Sequence, residues 1–227
     1  MTVKLDCKTF LVVLFACFFI INSEAQDFKK ITNRFGVELK DNMAISVADF
    51  NGDNLLDVFI VGKDPDDSLN PYTYSRLFKN NNDGTYTDVT LEAGLTNLYS
   101  KPAAGEEKDV FGYTSYKFGA SWGDYNNDGY PDLFLTNAFK LQLFKNNGDG
   151  TFTNVTEITG LPLTDNCYST SSTWFDYNND GFLDIFISDY DSDCGNRLFK
   201  NLGNETFIDV SVGSGLEFTS KNTFMAM

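Results

Sequence analysis

The sequence predicts an all-β chain of β-propeller blades, each of four antiparallel strands, about three blades forming an incomplete propeller. Three observations point there. One acidic loop is written three times, and each copy is followed by the same later phrase in the same order. Apolar residues alternate over short runs bounded by turn signals. No stretch carries helical periodicity of useful length.

Residues 1–25 read as a secretory signal peptide: Lys4 and Lys8 precede an apolar run from Phe10 to Ile21, and the small Ser23 and Ala25 mark a cleavage site before Gln26. That run is too short to span a bilayer comfortably. Leu14-Phe15-Ala16-Cys17 loosely resembles a lipidation box, with Phe15 and the apolar run after Cys17 against that reading. The expected location is secreted or at the cell surface: extracellular, or periplasm or outer surface in a bacterium.

Residues 26–41 follow, where Phe28 to Thr32 and then Phe35-Gly36-Val37 resemble the last strand of a unit and its exit, an orphan closing strand and linker. Repeat 1 covers 42–95, a polar loop insertion 96–113, repeat 2 114–161 and repeat 3 162–216. A second polar insertion lies between Asp64 and Tyr74. Residues 217–227 read as the start of a truncated fourth repeat, so the chain reads as a fragment or as part of a ring completed by another chain.

The acidic loops are Asp49-Phe50-Asn51-Gly52-Asp53-Asn54-Leu55-Leu56-Asp57, Asp124-Tyr125-Asn126-Asn127-Asp128-Gly129-Tyr130-Pro131-Asp132 and Asp176-Tyr177-Asn178-Asn179-Asp180-Gly181-Phe182-Leu183-Asp184. Side-chain oxygens at positions 1, 3, 5 and 9, with a free carbonyl at 7, match what a hard cation with six to eight oxygen ligands requires. Up to three Ca2+ ions are expected. Their ligands would be Asp49, Asn51, Asp53, Asp57 and the Leu55 carbonyl; Asp124, Asn126, Asp128, Asp132 and the Tyr130 carbonyl; and Asp176, Asn178, Asp180, Asp184 and the Phe182 carbonyl.

An EF-hand shares the opening but needs a bidentate Glu at position 12, where Ile60, Leu135 and Ile187 stand in strands. The carboxylate at position 9 would take that role. Zinc would call for Cys or His, and magnesium wants stricter octahedral geometry. Asn54 stands where the other loops have Gly129 and Gly181, which makes the first site the weakest expected. The alternative for each loop is an Asx-rich turn without metal. Asp189, Asp191 and Asp193 form a further acidic run, read as a solvated loop.

Each loop leads into a run of β-branched and aromatic residues, Val58 to Val61, Leu133 to Thr136 and Ile185 to Ser188, and is preceded by Ala44 to Ala48, Phe118 to Gly123 and Ser171 to Phe175. The third strands are Arg76-Leu77-Phe78-Lys79-Asn80, Gln142-Leu143-Phe144-Lys145-Asn146 and Arg197-Leu198-Phe199-Lys200-Asn201. Asp83-Gly84 and Asp149-Gly150 then signal hairpins into the fourth strands.

The formal net charge of -15 makes nucleic acid and anionic lipid poor partners. A hydrophobic content of 42% and an aromatic content of 15% argue against disorder. Histidine is absent, which removes the commonest general base and every Ser-His or Cys-His dyad; no catalytic residues are identified, and an enzyme is not expected. Beyond the signal segment only Cys167 and Cys194 remain, and in an oxidising compartment they are expected to pair; separate buried thiols are the alternative.

The Asp-x-Asn-x-Asp-Gly-x-x-Asp loops, the Leu-Phe-Lys-Asn phrase and Gly148-Asp149-Gly150-Thr151-Phe152-Thr153 resemble the FG-GAP/VCBS repeats of integrin α-subunit propellers and of secreted cartilage acidic protein-like proteins. Phe118-Gly119 matches part of the motif; a Gly-Ala-Pro element is missing. The resemblance extends over essentially the whole chain after residue 25. It implies an extracellular, calcium-braced propeller of the seven-blade type, acting as an interaction or adhesion module for a protein or glycan. A non-catalytic part of a polysaccharide-acting enzyme and a purely structural surface repeat are the alternatives.

Overall fold

The computed structural model describes residues 34–36, 42–62, 75–95, 98, 117–137, 140–163, 167–190 and 194–216. The readings of 1–25, most of 26–41, the insertion from Asp64 to Tyr74, most of 96–113, Asp191, Asp193 and 217–227 lie outside these residues.

Twelve strands form three four-stranded antiparallel sheets. The first holds β1 (Asn42–Ala48), β2 (Asp57–Gly62), β3 (Arg76–Asn80) and β4 (Tyr86–Asp88) in that spatial order. The second holds β5 (Lys117–Gly123), β6 (Asp132–Asn137), β7 (Lys140–Asn146) and β8 (Phe152–Asn154). The third holds β9 (Ser169–Phe175), β10 (Asp184–Asp189), β11 (Arg197–Asn201) and β12 (Phe207–Asp209). This is the all-β, propeller-like arrangement predicted, with consecutive strands as neighbours. A short 3-10 turn, Thr156–Ile158, follows β8. No helix among the described residues is long and apolar enough to cross a membrane.

The sheets pack face to face, which explains the nearly continuous apolar second strands. All six residues of β6 are buried: Leu133 and Leu135 enter the core shared with the first sheet, and Phe134 enters the core shared with the third. The first core adds Phe59, Val61, Leu77, Phe144 and Phe152; the second adds Ile185, Ile187, Phe199 and Phe207. Each such side chain removed from water contributes about 1.5–3 kcal/mol. Leu98, inside the segment read as a surface insertion, is buried in the first core. A third, smaller cluster of Val58, Ile60 and Phe78 lies on the first sheet's other face, with Phe35 against Phe78 and Tyr86 at centroid distances of 4.8 Å.

The exit of each sheet is tied to the outer strand of the next. The Phe152 N–H donates to the Ala93 carbonyl (2.8 Å), and the Phe207 N–H donates to the Thr159 carbonyl (2.7 Å). On the first sheet the Arg34 carbonyl takes the corresponding Tyr86 N–H at 2.9 Å.

The hairpin turns follow the predicted chemistry. Asp83 and Asp149 each accept from the N–H and hydroxyl of the Thr two residues on, which holds both carboxyls below the usual range, and Gly84 and Gly150 adopt φ of 83° and 86°. In the third hairpin Glu205 takes this left-handed place at φ 66° and reaches Lys145 of the second sheet at 2.7 Å. Cys167 and Cys194 are disulfide-bonded, as expected, tying the start of the third repeat to the loop after β10.

Candidate metal centre

Each acidic loop joins the first and second strands of its sheet, and its position-9 carboxylate is the first residue of the second strand. The loop is held by its own side chains. Asp49 Oδ1 accepts from the N–H groups of Gly52 (2.8 Å) and Asp53 (3.1 Å), and Oδ2 accepts from Asn54 (2.7 Å). Asp124 and Asp176 accept in the same way at positions 5 and 6, at 2.8 to 3.0 Å. Asn51, Asn126 and Asn178 each accept the N–H of position 5, and Asp53, Asp128 and Asp180 each accept that of position 7. These bonds orient the oxygens without metal.

Two positions per loop are left-handed, at 4 and at 6. The first loop has Gly52 (φ 73°) then Asn54 (φ 64°); the second has Asn127 (φ 58°) then Gly129 (φ 91°), and the third Asn179 (φ 58°) then Gly181 (φ 89°). The Gly and Asn are exchanged rather than a Gly lost. The premise for a weakest first site therefore falls, because every loop carries one Asn at positive φ.

Position 9 does more than face the loop. Asp57, Asp132 and Asp184 accept the position-2 N–H on Oδ2 (3.3, 3.1 and 3.0 Å) and, on Oδ1, the N–H of Asn80, Asn146 and Asn201 (2.8, 2.8 and 2.7 Å). All three carboxylates are buried. Burial pushes their pKa values up, Asp132 to about 7, despite the two amide bonds that lower them, and the carboxylates at positions 1 and 5 push the same way. Bringing negative charge together around a buried carboxylate favours either a proton or a cation there.

In the first loop Asp49, Asp53 and Asp57 bring ligand oxygens within 4.8 Å of one another. Among the described residues they form the one cluster of this kind. In the other two loops the position-3 amides of Asn126 and Asn178 donate to Oδ2 of Asp128 and Asp180 at 2.8 Å, the bond that chiefly holds Asp180 below the usual range. Among the described residues Asn51 makes no such bond, and its buried Nδ2 has no partner there. An all-oxygen donor set with three converging carboxylates fits a hard cation such as calcium, and the absence of nitrogen and sulfur donors does not fit zinc. The fit is fullest at Asp49, Asp53 and Asp57.

The structure adds residues that sequence reading passed over. The Asn ending each Leu-Phe-Lys-Asn phrase donates from Nδ2 to the position-8 carbonyl of its own loop, Leu56, Pro131 or Leu183, at 3.1 Å. Asn146 and Asn201 also reach back to the position-2 carbonyl of the preceding loop, Phe50 at 2.7 Å and Tyr125 at 2.8 Å. Repetition of this Asn was the available signal. The rings of Tyr130 and Phe182 lie where a Cβ on Gly148 or Gly203 would stand, about 2.8 and 2.7 Å away. The first repeat pairs the smaller Leu55 with Asn82 at the equivalent places.

Asp189 is a correction. It is buried rather than solvated, with Oδ2 3.1 Å from Arg197 Nε and Oδ1 accepting from the Ser169 hydroxyl. Its place at the end of β10, paired with Arg197 and Ser169, removes it from water.

No curated protein sequence matches the chain. Among solved structures, an Agrocybe aegerita lectin that recognises non-reducing terminal N-acetylglucosamine is similar at 17% identity and a TM-score of 0.44, over 74% of this chain and 38% of its own. This chain thus spans well under half of that structure's length. The family model for the FG-GAP-like repeat matches residues 124–187, from the second acidic loop through the third and into β10, and this part of the chain is an FG-GAP-like repeat.

Proposed function

We propose that the chain is an exported, non-catalytic repeat module in which calcium braces the acidic loops, and that it acts outside the cell by binding a protein or a glycan. The observation that carries the reading is the convergence of Asp49, Asp53 and Asp57 in a loop whose position-9 carboxylate is buried against the sheet. A cation there would neutralise repelling carboxylates and fix the start of β2. The ligands would be the side chains at positions 1, 3, 5 and 9 and the position-7 carbonyl of each loop. Export is supported by the signal-like leader of residues 1–25 and by the disulfide.

Calcium that binds only the folded chain stabilises it by mass action, about 2.7 kcal/mol at a concentration a hundredfold above Kd for one site. Thermal unfolding in excess chelator, in magnesium and in calcium tests this. A rise specific to calcium, reduced by the share of one site on replacing Asp49 and Asp53 by Asn, is expected. Indifference to calcium would sink the proposal.

A further inference from the structure

The lysine of the Leu-Phe-Lys-Asn phrase stands at one place in every sheet but does not meet the same partner in each. Lys79 reaches Asp53 Oδ2 at 3.4 Å, and Lys200 reaches Asp180 Oδ2 at 3.4 Å. Each pairs with the position-5 carboxylate of its own acidic loop. Lys145 instead pairs with Glu205 of the third sheet at 2.7 Å, and among the described residues Asp128 forms no ion pair.

The hairpins explain the exception. Glu205 occupies the left-handed position that Gly84 and Gly150 fill in the other two, so only the third hairpin carries a side chain there. That side chain extends to the preceding sheet and takes its lysine. Lys79 has no such rival, because the equivalent residue on the second sheet is Gly150.

The oxygen at stake is one that a cation would use. Oδ1 of Asp53, Asp128 and Asp180 accepts the position-7 N–H, which leaves Oδ2 for other partners. An ammonium and a divalent cation repel each other, so they compete for that oxygen. In the second and third loops the amides of Asn126 and Asn178 also donate to it, both at 2.8 Å. The lysine is therefore what separates these two loops at position 5.

We propose that Lys79 and Lys200 are resident counter-ions that calcium must displace from the first and third loops, and that Glu205 relieves the second loop of this competitor by holding Lys145. Glu205 thus acts through Lys145, as a positioning residue. This rests on the calcium reading above.

The test is acylation of lysine amines in the full-length chain by an N-hydroxysuccinimide ester, read residue by residue by mass spectrometry in calcium and in chelator. Calcium is expected to raise the labelling of Lys79 and Lys200 about two- to sixfold, by freeing the fraction that an exposed ion pair withholds, and to change Lys145 little. In Glu205→Gln, Lys145 is expected to respond to calcium as Lys200 does. Lys200→Gln should tighten calcium by up to about fivefold at its site in competition with a chromophoric chelator, and Lys145→Gln should do so only in the Glu205→Gln background. Bound calcium with all the lysines responding alike, or a Lys145 that stays unresponsive in Glu205→Gln, would overturn the proposal and leave the calcium reading standing. A competition showing no calcium bound by the wild-type chain would overturn both.

Discussion

Replacing Asn146 by Ala removes three hydrogen bonds at once: Nδ2 to the Phe50 carbonyl (2.7 Å), Nδ2 to the Pro131 carbonyl (3.1 Å) and the Gly148 N–H to Oδ1 (3.0 Å). The first of these is buried between two sheets, so its loss leaves an acceptor that water does not reach. Such a group costs about 1–3 kcal/mol, and the two partly buried bonds add about 0.5–1.5 each. The sum is about 3 kcal/mol. Asn201→Ala should cost the same, because its bonds to Tyr125, Leu183 and Gly203 repeat the pattern. Asn80→Ala is the internal control: it forfeits only exposed bonds to Leu56 and Asn82, worth about 1 kcal/mol. With a urea m value of about 2 kcal/mol per molar, the Asn146 and Asn201 midpoints should fall about 1 M below that of Asn80→Ala. Equal midpoints for the three variants would refute the idea that this Asn staples neighbouring sheets.

Chelated protein should lose stability as pH rises from 5 to 8. Asp132 titrates near pH 7 when folded and near 3.8 when unfolded, so the folded state holds a proton that the unfolded state has released across that window. Over that range the loss from Asp132 is about 3 kcal/mol, and Asp57 and Asp184 act in the same direction. Excess calcium should abolish this slope, and urea midpoints at both pH values with and without calcium check it. Reducing the disulfide, which closes a span of 27 residues, should cost about 3.5 kcal/mol by chain entropy, read from urea midpoints with and without reductant. Glu205→Gly should change stability by less than about 1 kcal/mol, since relief of the left-handed backbone offsets an exposed ion pair to Lys145. The variant should also lose part of the salt dependence of unfolding.

Much of the fold was legible because its signals are local. Alternation in Val58 to Val61 or Leu133 to Thr136, and turn residues such as Asp83-Gly84, report their own backbone, and the strands lie there with ends shifted by one or two residues. The oxygen spacing of the loops was legible for the same reason. Relations between repeats were harder to read. The exchange of Gly52 and Asn54 for Asn127 and Gly129 looks like a lost glycine until the φ values show that both places are left-handed. Asn146 reads as one polar residue ending a strand, and its partner Phe50 lies far away in sequence. Asp189 read as solvated because its partner Arg197 sits on the next strand, across the hairpin between β10 and β11.

The asparagine staple also gives the array a direction. The first two loops are each clasped by the sheet that follows, through Asn146 and Asn201, so occupancy of the first loop by a cation would be linked to the integrity of the second sheet, and that of the second loop to the third sheet. Linkage is reciprocal, so disrupting the second sheet should loosen an ion at Asp49, Asp53 and Asp57 as surely as removing that ion loosens the sheet. The third loop has no such listener among the described residues.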